Sequence, residues 1–167
     1  MKYILGLGSN MGNRRGFLRK SIKYLSTLGT IVSESSIYET SPVGMEAGTE
    51  KFFNSVVLID SEITPEVMIV YIKRFEKKMG RNIVVSHLES RQIDIDIIFA
   101  GNTIIKTKAL EIPHPELHKR KFVLEPLVEI LPEFIHPASG KTMKELLDKL
   151  KNGEEIKIVK TDNSDPS

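Results

Sequence analysis

Apolar positions recur along this chain with two different periods, and the switches between them predict short strands interleaved with helices. Residues 3–7 run apolar and stop at Gly8-Ser9-Asn10, which predicts a buried strand feeding a loop. Phe17, Leu18, Ile22, Leu25 and Leu28 then recur at helical spacing, and Gly29 falls just past the helix end, where a left-handed backbone costs glycine little. Residues 30–38 carry Ile31, Val32, Ile37 and Tyr38 among serines and read as a strand. Pro42, Gly44 and Gly48 mark residues 40–51 as a loop of functional length, and residues 52–59 are the next strand. A second helix is signalled by Thr64 as N-cap, Pro65 at the first helical position and Glu66 in the first turn. Its apolar stripe is Met68, Tyr71, Ile72, Phe75 and Met79, and Gly80 ends it. Residues 81–90 have no clean period and read as a loop.

From Gln92 to Phe99 the period drops to two, which puts Ile93, Ile95, Ile97 and Phe99 on one face and Asp94 and Asp96 on the other. Gly101-Asn102 turns into residues 103–106, giving a hairpin. A loop over 107–121 precedes a short helix over 122–128, and Thr142 with Glu145 three residues on is a capping box for a last helix. The fold class expected is α+β, a mainly antiparallel sheet covered by helices, with a single domain over 1–152 and a frayed tail over 153–167.

Composition narrows the chemistry. The chain has 167 residues, 40% hydrophobic and 28% charged, which suits one ordinary domain with one core. No apolar run approaches the roughly 18 residues of a membrane span, and glycines interrupt the N-terminal apolar stretch before a signal sequence could form. A cytoplasmic protein acting as a monomer, without a membrane, is expected. The sequence contains no cysteine, so any metal must be held by oxygen or imidazole. A formal net charge of +2 does not argue for nucleic acid. Two basic runs stand out, from Arg14-Arg15 through Arg19-Lys20-Lys23 and over His118-Lys119-Arg120-Lys121. Each reads as a solvated face or as an anion-binding surface.

The sharpest chemical signal is Asp94-x-Asp96 on a strand. Side chains two residues apart point the same way, so two carboxylates stand about 7 Å apart, close enough to share a pair of hard cations. A solvated outer face of an edge strand explains the same pattern equally well. Arg91 weighs toward function, because it can reach a phosphate that the metal also holds. Glu76, near the end of the second helix, reads by itself as an ordinary solvated Glu. His114, between Pro113 and Pro115 and near Arg120, could donate to a phosphate. Asn54, beside Phe52 and Phe53, is an amide in an apolar strand and needs partners, whether backbone or a ligand edge. The chain contains neither a Walker A sequence nor a Gly-x-Gly-x-x-Gly after a strand. These residues alone support phosphoryl chemistry at a two-cation carboxylate site, with the substrate open. A different metal-dependent phosphotransferase or hydrolase and a noncatalytic nucleic-acid-binding module remain alternatives.

Several motifs in order resemble those of the 6-hydroxymethyl-7,8-dihydropterin pyrophosphokinases. They are Leu7-Gly8-Ser9-Asn10 with Gly12-Asn13, the run from Ser36 to Gly44, Phe53-Asn54, the run from Arg91 to Ile97, and Ile112-Pro113-His114-Pro115 with Arg120 and Phe122. The resemblance implies a ferredoxin-like fold and an attack of the pterin hydroxymethyl oxygen on the β-phosphorus of ATP, with AMP leaving. It implies two magnesium ions on Asp94 and Asp96, with Arg81 and Arg91 joining them in catalysis. Pterin would lie between Phe52 or Phe53 and Phe122, with contacts to Thr40, Ser41, Val43 and Asn54. ATP would be held by Glu76, Arg91, Ile97, His114 and Arg120, and by Lys73, which stands where the family often has Gln and so alters the adenine or ribose contacts. This sequence departs from the family pattern at Ile83 and at Leu88-Glu89-Ser90, where an Arg and a Trp-Gly-Pro are usual, and the resemblance therefore implies weaker closure of the 82–90 loop.

Overall fold

The computed structural model describes residues 1–41, 48, 50–80, 92–150 and 156–159. Its elements are β1 (Lys2–Ser9), α1 (Arg14–Leu25), β2 (Thr30–Glu34), β3 (Ile37–Thr40), β4 (Phe52–Asp60), α2 (Pro65–Lys78), β5 (Asp94–Ala100), β6 (Ile105–Lys106), β7 (Glu111–Ile112), α3 (Lys121–Ile130), α4 (Met143–Asp148) and β8 (Ile156–Val159). Five strands run in the order β5-β1-β4-β3-β8, β2 also lies along β4, and every pairing is antiparallel. This is the expected α+β class in its ferredoxin-like form.

Period-2 alternation sorts the sheet into two faces. On the back face Tyr3, Leu5, Leu7, Val57, Ile59, Ile93, Ile95 and Ile97 pack against Leu18 and Leu25 of α1 and Met68, Ile72 and Phe75 of α2. Tyr24 and Phe75 stack with centroids 4.3 Å apart and lock the two helices together. On the front face Ile4, Val56, Leu58, Ile98 and Phe99 meet Leu124 and Leu127 of α3 and Met143 and Leu146 of α4.

Several sequence expectations change here for local physical reasons. Phe99 lies on the front face, apart from Ile93, Ile95 and Ile97, because the register of β5 shifts against Ile4 and Leu5. A β-bulge at that point turns the side-chain parity over. The strand expected over 30–38 is two strands. Between them the Ser35 hydroxyl accepts from Val56 N at 2.8 Å while Ser35 N donates to Val56 O at 2.9 Å, so a side chain stands in for one ladder carbonyl. The hairpin expected after Gly101 forms one step later, since Ile105–Lys106 pairs with Glu111–Ile112 instead of β5. Tyr71 is 38% exposed and leaves the apolar stripe of α2, while Glu76 is buried. Residues 156–159 lie in the stretch expected to fray, yet they pair with β3, where backbone bonding along a free edge is available.

Helix ends follow their signals unevenly. The capping box at Thr142 is complete, with Glu145 N donating to Thr142 Oγ1 at 3.1 Å and Thr142 N to Glu145 Oε2 at 2.7 Å. Gly80 ends α2 with φ +90. Gly29 does not act as a left-handed cap, because α1 already ends at Leu25 and only Gly12, Gly48, Gly80, Gly101 and Gly140 have positive φ among the described residues. Its role is close approach: a Cβ there would sit 2.3 Å from the Asp60 carbonyl oxygen and 2.9 Å from Ser61 Cβ. Gly29→Ala is therefore expected to destabilise the fold by about 1–3 kcal/mol, read as a lower urea midpoint with unchanged slope. An unchanged midpoint would show that the backbone yields without strain.

Candidate active site

Among the described residues, α3 and α4 cover the front face at the end of the sheet that carries Ile4, Val56 and Leu58. Toward the other end, three antiparallel registers bring the candidate residues into rows. Asp94 pairs with Gly8, Gly8 with Asn54, and Asn54 with Tyr38; one step away Asp96 pairs with Gly6, and Thr40 with Phe52. Directly paired residues project to the same face, so Asp94, Asp96, Asn54, Phe52, Thr40 and Tyr38 share it. Gly8 puts no side chain on the middle strand between Asp94 and Asn54, whereas the space over Gly6 is filled by Ile98, whose Cδ1 lies 3.2 Å from where a Cβ would stand. A Cβ on Gly8 would stand 3.1 Å from Asn54 Oδ1 and 3.8 Å from Phe52 Cδ1. A glycine inside an apolar strand is the sequence signal for such a close approach, and the turn reading of Gly8 passed over it.

The polar groups on this face are held in set orientations. Asn54, 7% exposed, donates Nδ2 to Thr40 Oγ1 at 2.7 Å, which leaves its Oδ1 over Gly8. Tyr38 donates to Glu129 Oε2 at 2.5 Å, and Ser36 donates from both its backbone nitrogen and its hydroxyl to Glu129 Oε1 at 2.9 Å. Burial, and then the Glu129 carboxylate, pushes the Tyr38 phenol well up, so it stays a donor and ties α3 to β3. Phe52 and Phe122 are half-buried and belong to neither apolar cluster. Phe53 differs. It points into the back-face core at 8% exposure with Arg14 over its ring, so of the two alternatives for the stacking ring only Phe52 is on the open face.

Glu76 corrects the reading of a solvated carboxylate. It is 1% exposed, its Oε1 accepts from Ile95 N at 2.8 Å, and Lys73 Nζ, on an exposed side chain, reaches its Oε2 at 3.4 Å. β5 is an edge strand of the main sheet, and Glu76 occupies its outward donor midway between Asp94 and Asp96. Ile97 is buried in the back-face core, so it can meet a ligand only through its main chain.

The bulge in β5 also seats the loop carrying His114. Ile98 O accepts from His114 N at 3.0 Å, and His114 Nδ1 accepts from Glu116 N at 3.2 Å. Burial lowers the His114 pKa below 6.5, Arg120 lowers it further, and Asp94, Glu116 and Glu111 oppose the shift. His114, Arg120 and Asp94 thus lie within electrostatic reach of one another. The Arg120 guanidinium stands 5.7 Å from the Phe122 ring centroid, joining the cationic and aromatic parts of the site. Ser41 is half-buried at the rim. Val43, Arg81 and Arg91, with the variant positions 83 and 88–90, lie outside the described residues.

A ferredoxin-like sheet carrying two carboxylates, an oriented amide and half-buried aromatic rings on one face is an arrangement able to hold a flat, polar-edged ligand beside an anion. Comparison with known proteins specifies it further. Residues 4–132 match the family model of 7,8-dihydro-6-hydroxymethylpterin-pyrophosphokinase (HPPK). A 2-amino-4-hydroxy-6-hydroxymethyldihydropteridine pyrophosphokinase from Aquifex aeolicus is 39% identical over 141 residues, 84% of this chain and 87% of that protein. One from Haemophilus influenzae is 31% identical over 156 residues, 92% and 96% of the two chains. A Plasmodium falciparum HPPK-DHPS solved with pteroate superposes with a TM-score of 0.71 at 18% identity, over 89% of this chain and 42% of that one. The chain belongs to the HPPK family. Membership assigns the reaction, transfer of pyrophosphate from ATP to hydroxymethyldihydropterin in folate biosynthesis.

Glu76→Ala leaves the Ile95 amide without its acceptor and is expected to cost about 1–3 kcal/mol with faster exchange of that amide. Glu76→Gln keeps an acceptor and should lose less than half as much; equal losses would show that the hydrogen bond is not what Glu76 contributes. The fold favours neutral His114, so the stability this group contributes is complete above its unfolded pKa of about 6.5 and is lost as pH falls through its lower folded value. The drop in urea midpoint from pH 7.5 to about 5 should accordingly be smaller in His114→Gln than in the wild type.

Proposed function

We propose that the open front face binds both substrates of the family reaction and two magnesium ions, with Asp94 and Asp96 as the protein's ligands to the metal. The row Asp94, Gly8, Asn54 across three strands carries this reading, because it sets a metal-binding carboxylate and a ring-reading amide on either side of a glycine. Both aspartates are partly exposed on an edge strand, and hard oxygen donors of this kind suit magnesium, which keeps several waters and takes further ligands from substrate phosphates. When bound, the ions would neutralise the phosphate charge that develops as the bond to the β-phosphorus changes.

The chain's own residues supply positioning. Phe52 and Phe122 stack the pterin, Asn54 Oδ1 accepts from its polar edge, and Thr40 fixes that amide; Ser41 and Val43 add backbone contacts. Arg120 and neutral His114 donate to the ATP phosphates, with Arg81 and Arg91 adding charge. Lys73, Glu76 and the Ile97 main chain border the nucleotide. The hydroxymethyl oxygen attacks the β-phosphorus, the bond from that phosphorus to the oxygen bridging the α-phosphorus breaks, AMP departs with the electron pair, and the hydroxyl proton passes to solvent. None of the site groups named is placed as a general base, so catalysis rests on alignment and charge neutralisation. The proposed working unit is a monomer. Use of ATP favours the cytoplasm as its compartment. Among the described residues no helix is long and apolar enough to cross a membrane.

The test is an incubation with ATP, magnesium and 6-hydroxymethyl-7,8-dihydropterin, assayed for AMP. The wild type should form AMP only with pterin present, and Asp94→Asn/Asp96→Asn should lose about 10³-fold or more in rate while remaining folded. ADP as the product, or a double mutant of unchanged rate, would sink this assignment.

A further inference from the structure

We propose that Arg14 is a positioning residue for the pterin half of the site, acting through the sheet from its back face. The inference rests on the pterin reading of the front face. Arg14 opens α1 and is held there by the preceding Asn13, whose side chain accepts from Gly16 N at 3.0 Å. Its guanidinium carbon stands 3.8 Å from the centroid of the Phe53 ring. Its Nη1 donates to the Lys51 carbonyl at 2.6 Å and lies 3.7 Å from Glu39 Oε2. The side chain is 23% exposed, so the first member of the N-terminal basic run is built into the structure instead of lying on a solvated face.

The register explains why this matters for the other side of the sheet. Glu39 and Phe53 are direct partners in the β3–β4 ladder, and the pairs on either side of them are Tyr38 with Asn54 and Thr40 with Phe52. Strand parity sends Glu39 and Phe53 to the back and the four flanking side chains to the front. One guanidinium therefore grips the middle pair of three from behind. Through Lys51 it also fixes the chain where residues 41–50 rejoin the sheet. Only a planar cation can stack on a ring and donate in its own plane at the same time, so lysine is a poor substitute.

Ordinary helix-to-sheet packing would predict a loss of stability that treats both substrates alike. Positioning of the ring-reading pairs predicts a selective loss. Arg14→Met keeps an apolar stem without the cation, and Arg14→Lys keeps the charge without the plane. Each is expected to raise KM for the pterin about tenfold while kcat and KM for ATP stay within about twofold. Amide exchange should quicken at Tyr38, Thr40 and Asn54 and stay unchanged along β5. Equal rises in both KM values, or an unaltered pterin KM, overturn the proposal. If the wild type makes no pterin-dependent AMP, the substrate reading has failed, and amide exchange then decides alone: quickening confined to β3 and β4 upholds the positioning role, and uniform or absent quickening ends it. Should both variants fail to fold, Glu39→Gln removes the ionic partner and leaves the stack, and the same measurements should show a rise in pterin KM of about two- to threefold with the same selectivity.

Discussion

Everything at this site depends on the double pairing of β1, which is hydrogen-bonded to β4 on one side and β5 on the other. Because both ladders share one strand, the offset between Asp94 and Asn54 cannot drift: each is fixed to Gly8, and a slip of one residue would turn either side chain into the opposite core. The two glycines of β1 then allow close approach that a side chain would block, Gly8 to the Asn54 amide and Gly6 to the Ile98 side chain. The bulge in β5 lies just past the second carboxylate. It ends the period-2 pattern that the carboxylates need, sends Phe99 forward into the α3–α4 core, and presents the Ile98 carbonyl to the loop that carries His114.

The sequence was informative wherever a local rule decided the outcome. The alternation from Ile93 to Ile97 and the capping box at Thr142 need no knowledge of distant residues, and both appear as read. The resemblance to the pyrophosphokinase family was legible because several motifs stood in order over most of the chain. What was not legible depends on partners far along the chain. Glu76 looks solvated on its own helix, and only the arrival of the Ile95 amide 19 residues later explains its burial. Gly29 looks like a helix cap, and only the Asp60 carbonyl shows that it is a contact surface. Phe52 and Phe53 are equivalent as letters, and strand parity separates them.

A common arrangement links Glu76, Glu129 and Arg14. Each is a charged side chain that takes no place in the row across the three strands yet bonds to main chain or to residues that flank it: Glu76 at the free edge of β5, Glu129 from α3 across to β3, and Arg14 from behind. Charged hydrogen bonds are stronger than neutral ones and more directional than apolar contact, which suits them to fixing the strands that carry the candidate site. The apolar clusters supply cohesion, and these three groups set the angles.

The short strand β8 has a consequence for solubility. It pairs with the outer edge of β3, the strand that carries Thr40 and Tyr38. Without that cover, β3 would present a row of unpaired amide and carbonyl groups flanked by Ile37 and Tyr38, a template for adding strands from other molecules. Lys157 lies within β8 itself, and a charge placed in an edge strand discourages the next strand from stacking on. This strand thus protects the outer edge of β3 from intermolecular assembly, and any loosening of it would join disturbance of β3 to the onset of aggregation.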